Sequence, residues 1–188
     1  MTKPKLEIAE VKGVKEGRVW VKKCGEKSKV LSFVELYLFR KATMYVLHEN
    51  ERPLSYHLCY FGKRLKDGWG PYQTCYASYT IKSARGKGYG KKLILHARKL
   101  AIKAGCTRMR VICGSIAGTM LYASLNSEFW GLTEKLEVKV DMAITETGKK
   151  TGTPPYAAEN AGTKFWSLKK LMSKIPSGKL PYDEKETK

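Results

Sequence analysis

At 188 residues the chain has room for one domain with a sizeable core, and its 43% hydrophobic share is ordinary for a folded soluble protein. No run of 18 apolar residues could span a bilayer, charges throughout the first thirty residues predict no signal peptide, and five cysteines lack any C-x-x-C pair or zinc spacing. The 36 Lys and Arg against 17 Asp and Glu leave a formal charge of +19, more than solubility requires and enough to predict an acidic partner. Cys59, Cys75 and Cys113 lie in apolar runs, so the expectation is a cytoplasmic protein with buried free thiols and no metal.

Residues 1–12 are polar, with one strand predicted at 6–9. Residues 13–29, rich in Lys, Gly and Val, yield no assignment, and the apolar positions of 30–39 satisfy both the helical and the strand period. Residues 43–48 and 54–61 read as strands joined by the turn formers of Glu49-Asn50-Glu51-Arg52-Pro53. A second turn at 63–71 leads into a strand at 72–81, the third member of an antiparallel meander.

That strand runs into Ser83-Ala84-Arg85-Gly86-Lys87-Gly88-Tyr89-Gly90. A strand turning sharply into a helix leaves the first helical N–H groups without partners, and with the helix dipole they favour an anion. Glycine reaches positive φ cheaply and lets backbone approach a ligand closely. The spacing matches neither the Gly-Lys-Ser/Thr phosphate loop nor G-x-G-x-x-G, and a flexible strand–helix junction would also use glycines. After Gly90, Leu93, Ile94, Ala97, Leu100, Ala101 and Ala104 mark a helix with one buried face, and Gly105 is placed to end it. A strand at 108–113 completes a right-handed crossover, and a helix at 117–125 follows, with Asn126 as its left-handed cap.

Strands are predicted at 128–132 and 137–144. From Thr145, Gly148, Gly152, Pro154, Pro155 and Gly162 punctuate a polar run. Phe165, Leu168, Leu171 and Met172 then fit one amphipathic helix over 165–172, packed back on the sheet, and the last dozen residues are expected to be mobile. The expected division is a domain at 1–146 and a basic extension at 147–188.

Arg85-Gly86-Lys87-Gly88-Tyr89-Gly90 resembles the R/Q-x-x-G-x-G/A signature of the GNAT superfamily of N-acetyltransferases, and Met120-Leu121-Tyr122-Ala123-Ser124-Leu125-Asn126 is similar to its LYxxLG helix. Residues 128–133 and 137–141 resemble acetyltransferase-like proteins of bacteriophages. The resemblance covers roughly residues 44 to 144. It implies an α/β (α+β) fold, a mixed and mostly antiparallel sheet with a splayed parallel strand pair and flanking helices, and it favours helix for 30–39.

It also implies acetyl-CoA as cofactor, held by Arg85, Gly86, Lys87, Gly88, Tyr89 and Gly90, with backbone N–H groups near Tyr79, Thr80 or Ile81 meeting the acyl carbonyl. Tyr122 matches the tyrosine that protonates the departing thiolate, and a tyrosine keeps its proton at neutral pH. A helix-packing role would equally use this ring. Ser115 stands where relatives have a cofactor-contacting polar residue. Many relatives carry a glutamate base on the strand before the turn, yet residues 72–81 contain no acid. Three replacements are open: His57 on the neighbouring strand, a carboxylate such as Glu128 or Asp141, or a chain of ordered waters. A lone strand histidine also serves structural ends.

Between Asp67 and Glu128 there is no acid, while Lys82, Arg85, Lys87, Lys91, Lys92, Arg98, Lys99, Lys103, Arg108 and Arg110 fall inside that interval. Cofactor phosphates account for part of this charge. The surplus points to DNA or RNA, bound with strong salt dependence, with a membrane surface or an acidic protein as the alternatives; the acceptor could also be lysines of a protein bound to nucleic acid. The readings are an acetyltransferase acting on an amine of such a target, a Mom-type phage enzyme modifying adenine, a toxin-like enzyme acting on aminoacyl-tRNA, or a binder that keeps the scaffold without turnover.

Overall fold

A computed structural model describes residues 5–25, 28–62, 72–143 and 165–183. The expected turn at 63–71, the end of the strand reaching Ile144, the punctuated run at 145–164 and residues 1–4 and 184–188 lie outside the described residues. The chain divides into two compact units, Met1–Phe61 with Cys75–Leu100, and Gly62–Thr74 with Ala101–Lys188.

The first unit begins with β1 (Leu6–Val11), α1 (Val14–Lys23), α2 (Ser28–Phe39) and β2 (Thr43–Glu49). β3 (Arg52–Gly62) and β4 (Tyr72–Thr80) follow, then a 3-10 turn at Lys82–Ala84 and α3 (Tyr89–Lys103). Val21 and Gly17 are the buried residues of α1, and Val14 and Trp20 pack against the same core. Gly17 is where α1 meets α2, because a Cβ there would run into the Leu38 side chain. Residues 30–39 are helical, as the resemblance implied.

β1 and β2 pair antiparallel from Leu6↔Glu49 to Val11↔Met44. β2 turns into β3 through Asn50 and Glu51, both left-handed at φ 47° and 59°, which matches the right-handed twist of the hairpin. One face of these strands packs Met44, Val46, Tyr56 and Leu58 with Val21 of α1 and Val34 and Leu38 of α2. The opposite face packs Tyr45, Leu47 and Cys59 with Leu93 and Ala97 of α3. A sheet covered on both faces explains why β3 is buried almost along its length.

The second unit holds β5 (Arg108–Cys113), α4 (Ile116–Ala123), β6 (Glu128–Leu132), β7 (Val138–Ala143) and α5 (Leu168–Ser173). β7 pairs antiparallel with β5 from Arg108↔Ala143 to Cys113↔Val138 and, on its other side, with β6. The strand order is β1-β2-β3-β4-β5-β7-β6, with β4 and β5 the parallel pair of a mostly antiparallel seven-stranded sheet. Asn126 adopts φ 58°, the left-handed conformation expected of it. All five cysteines are buried and none forms a disulfide among the described residues. Among the described residues no helix is long and apolar enough to cross a membrane.

The helix expected over 165–172 is displaced. Trp166 is extended and donates its N–H to the Phe129 carbonyl at 2.6 Å, so Phe165 and Trp166 are held by the edge of β6. Ser167 then accepts from Lys170 N and starts α5 one residue later. Leu171, Ile175 and Leu180 are buried, whereas Phe165, counted in the sequence as part of the packing face, is exposed.

Candidate active site

β4 ends where Ile81 donates its N–H to the Leu54 carbonyl of β3 at 3.1 Å. Bonds from Ala84 N to Ile81 O and from Arg85 N to Lys82 O close the 3-10 turn. Gly86 and Gly88 then take φ +77° and +75°, which an L residue adopts only with strain. A Cβ on either would meet nothing within 4 Å, so these glycines serve backbone conformation at an open surface. Gly90 has no such φ and belongs to the first turn of α3.

The bond from Lys92 N to Gly88 O, at 3.0 Å, is where α3 begins. Among the described residues no acceptor meets the backbone N–H groups of Gly86, Lys87, Gly88, Tyr89 or Gly90. Arg85 folds back over the strand end, its Nε donating to the Thr80 carbonyl at 3.1 Å and its guanidinium lying 5.8 Å from the Tyr79 ring. Arg85 and Lys87 are exposed. Two cations beside five amide donors suit a diphosphate.

The side chains of β4 do not alternate strictly. Tyr76, Ala77, Tyr79 and Ile81 all pack toward the core under α1 and α2. Cys75, Ser78 and Thr80 turn to the opposite face, so the alternation slips by one residue at Tyr76-Ala77. This slip sets two polar pairs against β3. Ser55 Oγ lies 2.9 Å from Thr80 Oγ1 and donates to the Tyr79 carbonyl at 2.7 Å. His57 Nδ1 lies 2.6 Å from Ser78 Oγ and 3.7 Å from Cys75 Sγ.

His57 is wholly buried, and its Nε2 has no partner among the described residues. Burial, the largest influence, pushes its imidazole down, while negative charge on the Cys75 and Cys59 sulfurs pushes it up, to about 10. The upward push exists only while a sulfur is ionised, and a wholly buried pair is most stable with both partners neutral. Ser55 shares the face of His57 by ordinary alternation along β3, whereas Ser78 reaches that face only through the slip in β4, of which the sequence gives no sign.

The two carboxylates named as alternatives to His57 are committed elsewhere. Arg108, 3% exposed, bonds Asp141 through Nε at 2.5 Å and Glu128 through Nη2 at 2.9 Å. Burial raises Asp141 to about 6 against the pull of Arg108, with Glu128 adding to the rise. The cluster ties β5, β6 and β7 together and accounts for one cation of the acid-free interval. Arg110, another, donates to Thr74 Oγ1 at 3.2 Å and lies over the Tyr72 ring at 4.9 Å.

In the second unit Ser115 is the N-cap of α4, its Oγ accepting from Gly118 N at 3.1 Å. Asp183 adds its carboxylate, accepting from Ile116 N at 3.0 Å, and Tyr182 donates its N–H to the Gly114 carbonyl at 2.8 Å. Nothing in the sequence signalled that the C-terminal segment reaches α4. Tyr122 lies about two turns beyond Ser115, 3% exposed, its carbonyl accepting from Leu125 N at 3.0 Å.

Five backbone amides without an acceptor among the described residues, at a glycine turn between strand and helix beside a mixed sheet covered by helices, are what an α/β protein can offer an anion. The chain belongs to the acetyltransferase (GNAT) family, whose model matches residues 14–119. No curated protein matches it in sequence. Among solved structures it is similar to yncA from Salmonella typhimurium, solved with its cofactor acetyl-CoA, at 13% identity and TM-score 0.57, over 75% of this chain and 95% of that one. The ribosomal-protein-S18-alanine N-acetyltransferase of Escherichia coli is similar at 13% identity and TM-score 0.55, over 78% and 99%. The paia N-acetyltransferase of Thermoplasma acidophilum, in complex with coenzyme A, is similar at 11% identity and TM-score 0.53, over 74% and 99%.

Proposed function

We propose that the protein is an acetyl-CoA-dependent N-acetyltransferase whose acceptor amine belongs to an acidic macromolecule, a nucleic acid or a protein bound to one. The observation that carries the cofactor is the set of five amides at Gly86 to Gly90 that have no acceptor among the described residues, flanked by exposed Arg85 and Lys87. Two similar structures were solved with acetyl-CoA or coenzyme A, which agrees with that donor set.

When bound, acetyl-CoA supplies an acyl group activated as a thioester. The amides and cations of the turn hold its diphosphate. Because the Ile81 amide is taken by Leu54, Ile81 is not the strand-end residue whose N–H polarises the acyl carbonyl; Thr80, whose N–H points away from β3, is. Tyr122 is the proton donor to the departing sulfur, and Ser115 shapes the start of its helix.

The acceptor class rests on charge. Of the ten cations in the acid-free interval, Arg108 is consumed internally, yet Lys82, Arg85, Lys87, Lys92, Lys99 and Lys103 remain exposed along the turn and α3. One cofactor needs fewer. Together with the phage-like character of residues 128–141, this favours a phage-encoded enzyme working on nucleic acid in a host cytoplasm.

Calorimetry with acetyl-CoA tests the cofactor: the wild type binds and a Gly88→Glu variant, which sets a carboxylate in the turn, binds at least about tenfold more weakly. Equal binding by both, or none by the wild type, removes the enzyme reading. Labelled acetyl-CoA offered with DNA, tRNA or a basic DNA-bound protein, followed by mass spectrometry, then identifies the acceptor.

A further inference from the structure

An alkyl amine such as a lysine side chain, unlike a nucleobase amine, arrives at neutral pH as an ammonium ion and must lose a proton before it can attack. β4, the strand that feeds the phosphate turn, carries no acid to take that proton. What it carries is Ser78, exposed, two residues before Thr80 and so about 7 Å up the strand from it. Behind Ser78 stands His57, fully buried, with Nδ1 at 2.6 Å from the hydroxyl.

A buried imidazole cannot touch a substrate, but an exposed hydroxyl bonded to it can. We propose that Ser78 and His57 form a proton relay, with Ser78 Oγ meeting the acceptor ammonium and His57 Nδ1 receiving the proton. Ser78 accepts a proton from the ammonium as it passes its own hydroxyl proton to Nδ1. No other bond changes: the amine becomes neutral, Ser78 is restored and the positive charge moves to the imidazole. Around His57 the titratable groups are Cys75 of β4, Cys59 of β3 and Tyr45, directly opposite on β2. Cys75 Sγ, 3.5 Å from Ser78 Oγ and 3.7 Å from Nδ1, stands beside both members of the pair. The slip at Tyr76-Ala77 is what turns Ser78 to this face, and without it the hydroxyl would point to the α1/α2 side. In this relay Ser78 is the catalytic residue and His57 a positioning and proton-storing one.

The inference rests on the transferase reading, and its test separates the two. Nitrogen NMR of the protein without acetyl-CoA should find His57 neutral at neutral pH, with its hydrogen on Nε2 and Nδ1 bare. An imidazolium, or hydrogen on Nδ1, overturns the relay. Acetyl transfer is then measured to n-propylamine, an ammonium at neutral pH, and to hydroxylamine, already neutral. Ser78→Ala should lower kcat for n-propylamine about 100-fold and for hydroxylamine by no more than about threefold, with acetyl-CoA binding unchanged. Ser78→Thr, which keeps the hydroxyl, should recover most of the loss. Equal losses for the two amines, or no rescue by threonine, overturn the relay, as does a wild type that binds acetyl-CoA and acetylates neither amine. A wild type that does not bind acetyl-CoA instead defeats the transferase reading itself.

Discussion

Gly88 and Asp141 show two ways in which a single residue is constrained. At Gly88 the backbone sits at φ +75° with open space where a side chain would point, so the demand is conformational and the neighbourhood would accept an atom. At Asp141 the demand is electrostatic. The carboxyl is fully buried, one oxygen has no partner among the described residues, and burial raises its pKa from 3.8 to about 6. An acid raised in this way binds protons more tightly when folded than when unfolded, so its contribution to stability is complete below about pH 4 and is lost as pH rises through about 6. The loss is on the order of 2–3 kcal/mol. Asp141→Asn should flatten this slope, and urea unfolding of both proteins across about pH 4 to 6 reads it; parallel slopes would remove the assignment. The glycine was legible in the sequence because the turn chemistry is local. The buried carboxylate was legible only as a residue type, since its partners Arg108 and Glu128 are distant along the chain.

At the scale of elements, α1 and α5 are instructive because the sequence left the first without assignment and placed the start of the second too early. In α1 the position that meets α2 is Gly17, which carries no apolar signal in the sequence and lets α2 come close. A helical glycine usually costs about 0.5–1 kcal/mol relative to alanine. Here Gly17→Val should destabilise by about 1–3 kcal/mol, because the added side chain meets Leu38. The midpoint of urea unfolding measures it, and a stabilised variant would mean that the helices have room to part. α5 shows the reverse case. Phe165 and Leu168 have helical spacing, but the backbone of Trp166 finds a better partner in Phe129, and the helix begins only where Ser167 can cap it. Tertiary hydrogen bonding overrode periodicity at a helix end, where propensity is weakest. β4 adds a third case, a slip in alternation that leaves the strand recognisable and changes which residues share a face.

For the whole molecule the dominant quantity is the net charge of +19. Binding to duplex DNA or tRNA, if nucleic acid is the target, should weaken at least about tenfold between roughly 50 and 200 mM salt through counterion release. Fluorescence anisotropy at several salt concentrations reads this, and a flat response would put the charge to another use. By itself the sequence determined the family, the glycine turn between strand and helix, the strand and helix series from Thr43 to Ala143, and the excess of basic residues. Each of these is written in near neighbours, in periods of two or 3.6 residues, in turn chemistry or in composition. Tertiary structure alone decided that Ser78 faces His57, that Arg108 spends its charge on Asp141 and Glu128, and that Asp183 bonds α4. Those contacts join residues 20 or more positions apart. Their partners are set by strand register and by the one-residue slip in β4, and no local pattern encodes either.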